Sequence, residues 1–412
     1  MKQLSLSLDL PNHELVDINS FQQILATLGV TYQPAWTDKF GQALRRWLTY
    51  KGYPPVKTLS LFSGGGGLDI AFHDAGFEII QMIELENKYV QTLKKNSSPG
   101  KWLEGSKPIC LDIRKYFPES DFKVDFVIGG PPCQTFSAAG RRAAGVAGTT
   151  DDRGKLFQEY VRLLKMLQPK GFLFENVYGM TGANGGQAWQ EIQEAFREVG
   201  YQIYYRILDA ADYGVPQHRE RLFIVGLKEG EYLFPYPTHG PDSLDRQPYY
   251  SAGEAVEGAN ILDVEVGIGG RFGYLLEYIP PGLNYSFYTK EMGYPNPIFS
   301  WRSKFSDFLY KADPTTPVRT IKAQGGQYTG PFSWDNRRFS VAELKRLQTI
   351  PDDYELVGNR QVCIKQIGNS VPPQLGRIMA LSILEQVMGC EMPFSIGYLS
   401  QDKKLGFRQR KR

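Results

Sequence analysis

The sequence predicts an α/β fold, a mostly parallel sheet sandwiched by helices with a smaller irregular lobe, and three observations carry that expectation. From Thr58 onward, apolar runs of strand length alternate with amphipathic segments of helical period. A glycine run, Ser63-Gly64-Gly65-Gly66-Gly67, joins the first apolar run to the first helical one, as where a backbone passes close to a ligand before a helix begins. Between about 228 and 318 the alternation stops, and glycine, tyrosine and proline become frequent.

Taken in order, residues 1–55 read as a helical extension. Phe21, Ile24, Leu25 and Leu28 make one apolar stripe, and Phe40, Ala43, Leu44 and Leu48 another. Packing of this extension against the main domain is expected, with Lys51-Gly52-Tyr53-Pro54-Pro55 as linker. Residues 56–227 form the first part of the main domain. Its strands are expected at 58–62, 79–83, 124–128, 171–175, 203–207 and 221–226, and its helices at 68–75, 88–95, 155–167 and 188–199. The stretch 228–318 is then an insertion of loops and short strands. Helical periodicity returns at Ser340–Leu347 and at 373–388, so residues 319–400 are expected to rejoin the main domain. The tail 401–412 carries Lys403, Lys404, Arg408, Arg410, Lys411 and Arg412 against Asp402; phosphate contact and a frayed solubilising end are both open for it.

Composition bounds the function loosely. The chain has 412 residues, with 47 Lys and Arg against 44 Asp and Glu, a net charge of +3 that leaves room for a basic cleft opposite acidic surface. Cysteines at 110, 133, 363 and 390 have no zinc-site spacing, so no metal is expected. No secretory leader is recognisable and no apolar run approaches bilayer length, which together predict a reduced, cytoplasmic setting without membrane contact.

Two sets of residues carry chemistry. On the first, Leu59, Leu61 and Phe62 lead into the glycine run, and Glu84 ends the next apolar run about 20 residues on, where a carboxylate can accept two ribose hydroxyls. Asp112 follows a third apolar step and can hold a base or sugar edge. The combination favours a nucleoside-containing cofactor. The glycines alone leave nicotinamide and phosphate recognition open, although no Walker lysine and serine or threonine follow them.

On the second set, Gly129-Gly130-Pro131-Pro132-Cys133-Gln134-Thr135-Phe136-Ser137 places a thiol on a stiff turn directly after the apolar run Val124–Ile128. Cys133 is the candidate nucleophile, with backbone amides of the turn favouring its thiolate. The strand Gly171-Phe172-Leu173-Phe174 delivers Glu175-Asn176-Val177 to the same sheet edge, where a carboxylate is costly unless used or paired. In Gln217-His218-Arg219-Glu220-Arg221, alternation puts Gln217, Arg219 and Arg221 on one face, suited to clamping an anion or a base carbonyl.

With these residues in view, the chain resembles the DNA cytosine-5 methyltransferases of the bacterial restriction-modification type. Phe62-Ser63-Gly64-Gly65-Gly66-Gly67, Glu84, Asp112-Ile113, Gly130-Pro131-Pro132-Cys133-Gln134, Glu175-Asn176-Val177, Gln217-His218-Arg219-Glu220-Arg221 and Gly368-Asn369-Ser370-Val371-Pro372 occur in the family's order over roughly 57–390. Arg338 through Glu343, Arg346-Leu347-Gln348 and Pro351-Asp352 match its closing portion. There are departures: Ser60 stands where the family commonly has aspartate, and Ser63 where alanine is frequent.

The resemblance implies a Rossmann-like methyltransferase sheet with a target-recognition lobe at 228–318, and S-adenosyl-L-methionine as donor, leaving S-adenosyl-L-homocysteine. Its pocket would use Phe62, Gly64, Gly66, Gly67, Glu84, Leu85, Asp112, Ile113, Pro131, Leu156, Asn369 and Ser370. The implied reaction makes 5-methylcytosine in a specific duplex DNA sequence. Cys133 adds to C6 of a flipped cytosine, Glu175 holds the N3 and amine edge, Arg221 takes the O2 side, and Arg219 belongs to the same reacting group or braces its loops. DNA contacts are expected from Gln134, Ser137, Arg141, Arg142, Arg153 and Gln217, and in the lobe from Arg271, Lys290, Arg302 and Lys304. A monomer is expected, with a companion restriction endonuclease as functional counterpart. An RNA cytosine-5 methyltransferase of the same fold, and a catalytically silent DNA-binding homologue, are the alternatives.

Overall fold

The computed structural model describes residues 36–132, 156–180, 187–244, 246–263, 267–303, 305–394 and 396–400. Strands β1 (Val56–Leu61), β2 (Phe77–Glu84), β3 (Lys107–Cys110), β4 (Phe126–Gly129), β5 (Gly171–Val177), β6 (Gln202–Asp209) and β8 (Glu220–Leu227) form one seven-stranded sheet in the order β3-β2-β1-β4-β5-β8-β6. Parallel ladders join β3 to β5 through the middle of the sheet, whereas β8 is antiparallel to both β5 and β6. Six strands therefore run one way and β8 runs against them. That reversal brings the first residues of β8 to the carboxyl edge of the others, with Arg221 paired in register with Val177. A two-residue strand, β7 (Gln217–His218), pairs separately with β9 (Val318–Arg319).

The central strands are buried on both faces, which is why they read as continuous apolar runs. Their period of two still separates two cores. Phe126, Ile128, Leu173, Phe223 and Val225 face one, Val127, Phe172, Phe174, Leu222 and Ile224 the other. The first core is closed by helices α1 (Trp36–Tyr50), α2 (Gly67–Asp74) and α9 (Pro373–Gln386). Phe40, Leu44 and Leu48 of α1 are buried in it, so the described part of the extension packs on the main domain as its stripe predicts. Helix α9 is buried along nearly its whole length and starts with proline, whose missing N–H costs nothing there. The opposite face carries α4 (Leu156–Leu167) and α5 (Gln187–Glu198), with Tyr160, Leu163 and Phe196 in the second core.

Three features differ from the sequence expectations. Strand β3 and helix α8 (Arg360–Asn369) are additional elements. Phe62 lies beyond β1 rather than in it, with φ +55, at the sharp turn into the glycine run. The boundaries of the lobe also shift. Tyr232 and Phe234, and the helix α6 (Ala252–Val256), pack into the main core, as do Ala312, Val318 and Ile321. A separate third core gathers Ile268, Leu275, Ile279, Tyr285, Tyr288 and Leu309, and Phe332 returns to it across bridges Phe308–Thr329 and Lys311–Phe332. Poor periodicity between 228 and 259 conceals apolar residues committed to the main domain by long-range contacts.

Candidate active site

The carboxyl edge of β4 and β5 is the centre of the site. Glu175, near the end of β5, is 8% exposed, and its Oε1 lies 3.0 Å from Arg221 Nε at the start of β8. Burial pushes the Glu175 carboxyl above the usual carboxylate value, with the positive charges of Arg221 and Arg219 opposing the rise. A side chain at Gly130, just after β4, would sit 2.7 Å from Glu175 Oε2. Any larger residue where the turn passes over the carboxylate would force the Glu175 tip to shift away from Arg221 or the turn to lift. Asn176 Nδ2 donates to Pro131 O at 3.0 Å, and its Oδ1 accepts from the Val177 amide at 2.8 Å. The stem of the Pro-Pro-Cys turn is therefore fastened to the strand that supplies Glu175. Cys133, the next residue after exposed Pro132, lies outside the described residues together with Gln134, Ser137, Arg141, Arg142 and Arg153.

Of the remaining members of the Gln217–Arg221 element, Arg219 and Gln217 face inward, whereas Glu220 is exposed. Arg219 is 1% exposed; its Nη1 donates to Ile321 O at 3.2 Å and its Nη2 to Gly368 O at 2.7 Å. It clips the returning segment to the site while keeping its charge near Glu175. Gln217 is 0% exposed, with Nε2 2.5 Å from Gln348 Oε1 and Oε1 accepting the Ile321 amide at 2.9 Å. This corrects its expected contact with DNA: the amide is spent on the protein interior. Alternation did identify its face, but that face is covered by residues more than a hundred positions away.

At the other half of the same edge, Glu84 ends β2. The amide of Gly64 donates to its Oε2 and the amide of Glu86 to its Oε1, both at 2.8 Å, which fixes the carboxylate and leaves each oxygen further acceptor capacity. Burial raises this carboxyl, with those amides pulling the other way. Gly64 has φ +58, and a Cβ there would meet nothing among the described residues nearer than Phe62 O at 4.0 Å. Gly66 and Gly67 are glycines for a different reason: a Cβ would collide with the Tyr354 hydroxyl in one case and with Ser370 and Val371 in the other. The late Asn369-Ser370 segment is thereby pressed against the glycine run, as the sequence order alone does not reveal. Asn369 itself is exposed and its side chain bonds Tyr89; Ser370 is buried, its hydroxyl donating to Val371 O at 3.1 Å.

Around this edge, Leu85 is 60% exposed, Ile113 is buried, and Phe62 and Leu156 are half-buried. Asp112 is forked to Arg114, 2.6 Å from Nη2, and that hydrogen-bonded guanidinium holds its carboxyl below the usual range. Arg271, Lys290 and Arg302 are exposed on the lobe; Lys304 lies outside the described residues. Among the described residues there is no group of three or more His, Cys, Asp or Glu able to hold a metal, and no helix long and apolar enough to cross a membrane. Asp69, in α2, escaped sequence reasoning, because a single acid in an apolar helix carries no signal of what lies above it.

The carboxyl edge of this α/β sheet thus carries a glycine-rich turn with an anchored carboxylate beside a buried Glu–Arg pair. Residues 56–385 match the family model described as C-5 cytosine-specific DNA methylase. The chain is 34% identical to type II methyltransferase M.SacI of Streptomyces achromogenes over 368 residues, covering 81% of this chain and 93% of that protein. It is 35% identical to M.FnuDI of Fusobacterium nucleatum over 346 residues, covering 80% and 94% respectively. Its fold also matches a putative prophage DNA modification methyltransferase of E. coli, at TM-score 0.57 and 22% identity over 81% of this chain and 99% of that one. The protein belongs to the C-5 cytosine-specific DNA methylase family. It is an S-adenosylmethionine-dependent DNA (cytosine-5)-methyltransferase acting on double-stranded DNA.

Proposed function

We propose that the reaction runs through a covalent bond between Cys133 and C6 of a flipped cytosine, with Glu175 and Arg221 as the groups that hold the base. The observation that carries this reading is the buried Glu175–Arg221 pair, lying against the glycine that precedes the Pro-Pro-Cys turn. C5 of cytosine is a weak nucleophile, and addition of a thiolate at C6 moves electron density onto it. A carboxyl raised by burial can keep a proton to donate to N3, which neutralises the charge that addition develops, and can accept from the exocyclic amine. Arg221 donates to O2. Arg219 acts one step back, fixing Glu175 and the returning segment through the carbonyls of Ile321 and Gly368.

The residues around Glu84 suit S-adenosylmethionine: an anchored carboxylate for two ribose hydroxyls, an exposed Leu85 and buried Ile113 for the adenine faces, and a Gly64 whose Cβ position has no described neighbour nearer than Phe62 O. When bound, the donor supplies the electrophilic methyl group. Once C5 is methylated, its proton leaves to a base, the C5–C6 double bond reforms, and the Cys133 sulfur departs as thiolate. Water is the proposed base. Gln134, Ser137, Arg141, Arg142 and Arg153 would contact the DNA backbone around the flipped base, and Arg271, Lys290, Arg302 and Lys304 the recognition sequence. We read the protein as a monomer that protects host DNA from a companion endonuclease.

The test uses duplex DNA whose target cytosine carries fluorine at C5, which blocks the proton loss and strands the adduct. An enzyme–DNA adduct stable to denaturation is expected with the wild type and S-adenosylmethionine and is expected to be absent with Cys133→Ser. Adduct formation by Cys133→Ser would overturn the assignment of the nucleophile.

A further inference from the structure

Asp69 is the buried acid that the mechanism leaves unused. It is the third residue of α2 and is fully buried, and its carboxylate makes no close hydrogen bond among the described residues, with the hydroxyls of Ser60 and Ser63 and its own amide lying nearby. A carboxyl so placed is expensive unless something uses it. Its surroundings border the glycine run. Ser60, on the face of β1 opposite Leu59 and Leu61, and Ser63, at the start of the run, pair through their hydroxyls at 2.8 Å. One hydroxyl proton is spent on that bond and the other remains to offer, and both serines favour the charged form of Asp69. Glu84, bonded to the Gly64 amide, adds a like charge. Tyr354, whose hydroxyl donates to Gly65 O at 2.9 Å, senses Asp69 from the far side. Cations on the helices packed against α2 are engaged elsewhere, Arg45 of α1 with His73 and Arg377 of α9 with Asp74.

The Ser60 side chain shares the buried space of Asp69. We propose that Asp69 is a positioning residue for the cofactor loop, holding residues 62–66 in binding geometry through Ser60 and Ser63. The inference rests on the reading of that loop as the S-adenosylmethionine site. It requires one acid in the space: none leaves the serines without an acceptor, and two place like charges together in a site from which water is excluded.

The experiment is calorimetric binding of S-adenosylhomocysteine to the wild type, Asp69→Ser, Ser60→Asp and the double exchange Ser60→Asp/Asp69→Ser, with the ligand-free melting temperature of each. Each single variant is expected to weaken binding by about tenfold, the scale of one lost polar contact, and the double exchange to return within about threefold of the wild type. Asp69→Asn, which keeps the shape, is expected to bind weakly as well and serves if Asp69→Ser does not fold. Wild-type affinity in Asp69→Asn, or a double exchange as weak as the two singles combined, would overturn the inference. Failure of the wild type itself to bind would instead overturn the cofactor reading, and the inference with it.

Discussion

Gly130 decides whether Glu175 can occupy its place, because any Cβ there would lie 2.7 Å from Glu175 Oε2. Gly130→Ala is therefore expected to displace the carboxylate and lower the rate of methylation by about 10²-fold, the scale of one lost transition-state contact, without weakening S-adenosylhomocysteine binding. Rapid-quench kinetics beside a binding titration would check both halves. Arg219 makes a different prediction. Replacing it with Met leaves the carbonyls of Ile321 and Gly368 without their donors in a dry interior, so urea unfolding should register a loss of about 2–4 kcal/mol. Activity would fall with it, because the same clip fixes the returning segment. That Glu175 would need a partner was legible from an apolar strand ending in an acid, and the structure pairs it with Arg221. The burial of Gln217 was not, since nothing near it in sequence announces Gln348 or Ile321.

At the scale of elements, the reversal of β8 is what lets one sheet edge hold both Glu175 and Arg221. A parallel β8 would have put Arg221 at the opposite end of the sheet from Glu175. The sequence displayed β8 as an apolar run, and such runs carry no direction, so the antiparallel pairing had to come from the structure. Strand β3 was legible only as a short apolar step before Asp112 and not as a strand, because it is a four-residue edge strand with a proline and half-buried or exposed side chains. Helix α2 yields a pH prediction. Burial lifts the Asp69 carboxyl from an ordinary 3.8 to about 7, so between those limits the folded ligand-free protein holds a proton that the unfolded chain has lost. Its contribution to stability is full below about pH 4 and is lost as pH rises through 7. Asp69→Asn is expected to melt less steeply with rising pH than the wild type and to be the more stable of the two at pH 8. An identical pH slope in both proteins would contradict the burial of a titrating acid there. The ion pair of Arg377 with Asp74, 2.8 Å long and almost wholly buried, joins α9 to the same helix. Arg377→Ala removes the buried charge that faces Asp74 and should cost about 3–5 kcal/mol in chemical denaturation.

The whole molecule is one sheet with a lobe that has an aromatic core of its own, gathered from residues 268–309 and Phe332. Both ends of the irregular stretch have apolar residues that serve the main domain, and Phe332 from beyond it joins the lobe. A net charge of +3 means that attraction to DNA must come from local groups, and Arg271, Lys290 and Arg302 are exposed on the lobe. Where Arg302 meets a phosphate, Arg302→Ala should lower the slope of log affinity against log salt by about one, whereas a base contact would instead relax the preference for one sequence. The measurement that bears most directly on the account is base-resolution mapping of 5-methylcytosine in unmethylated duplex DNA after incubation with S-adenosylmethionine, run in parallel with Cys133→Ser. The account predicts methylation at one short recurring sequence in the wild type and none in the variant. Equal methylation by the variant, or none by a wild type that binds S-adenosylhomocysteine, would contradict it.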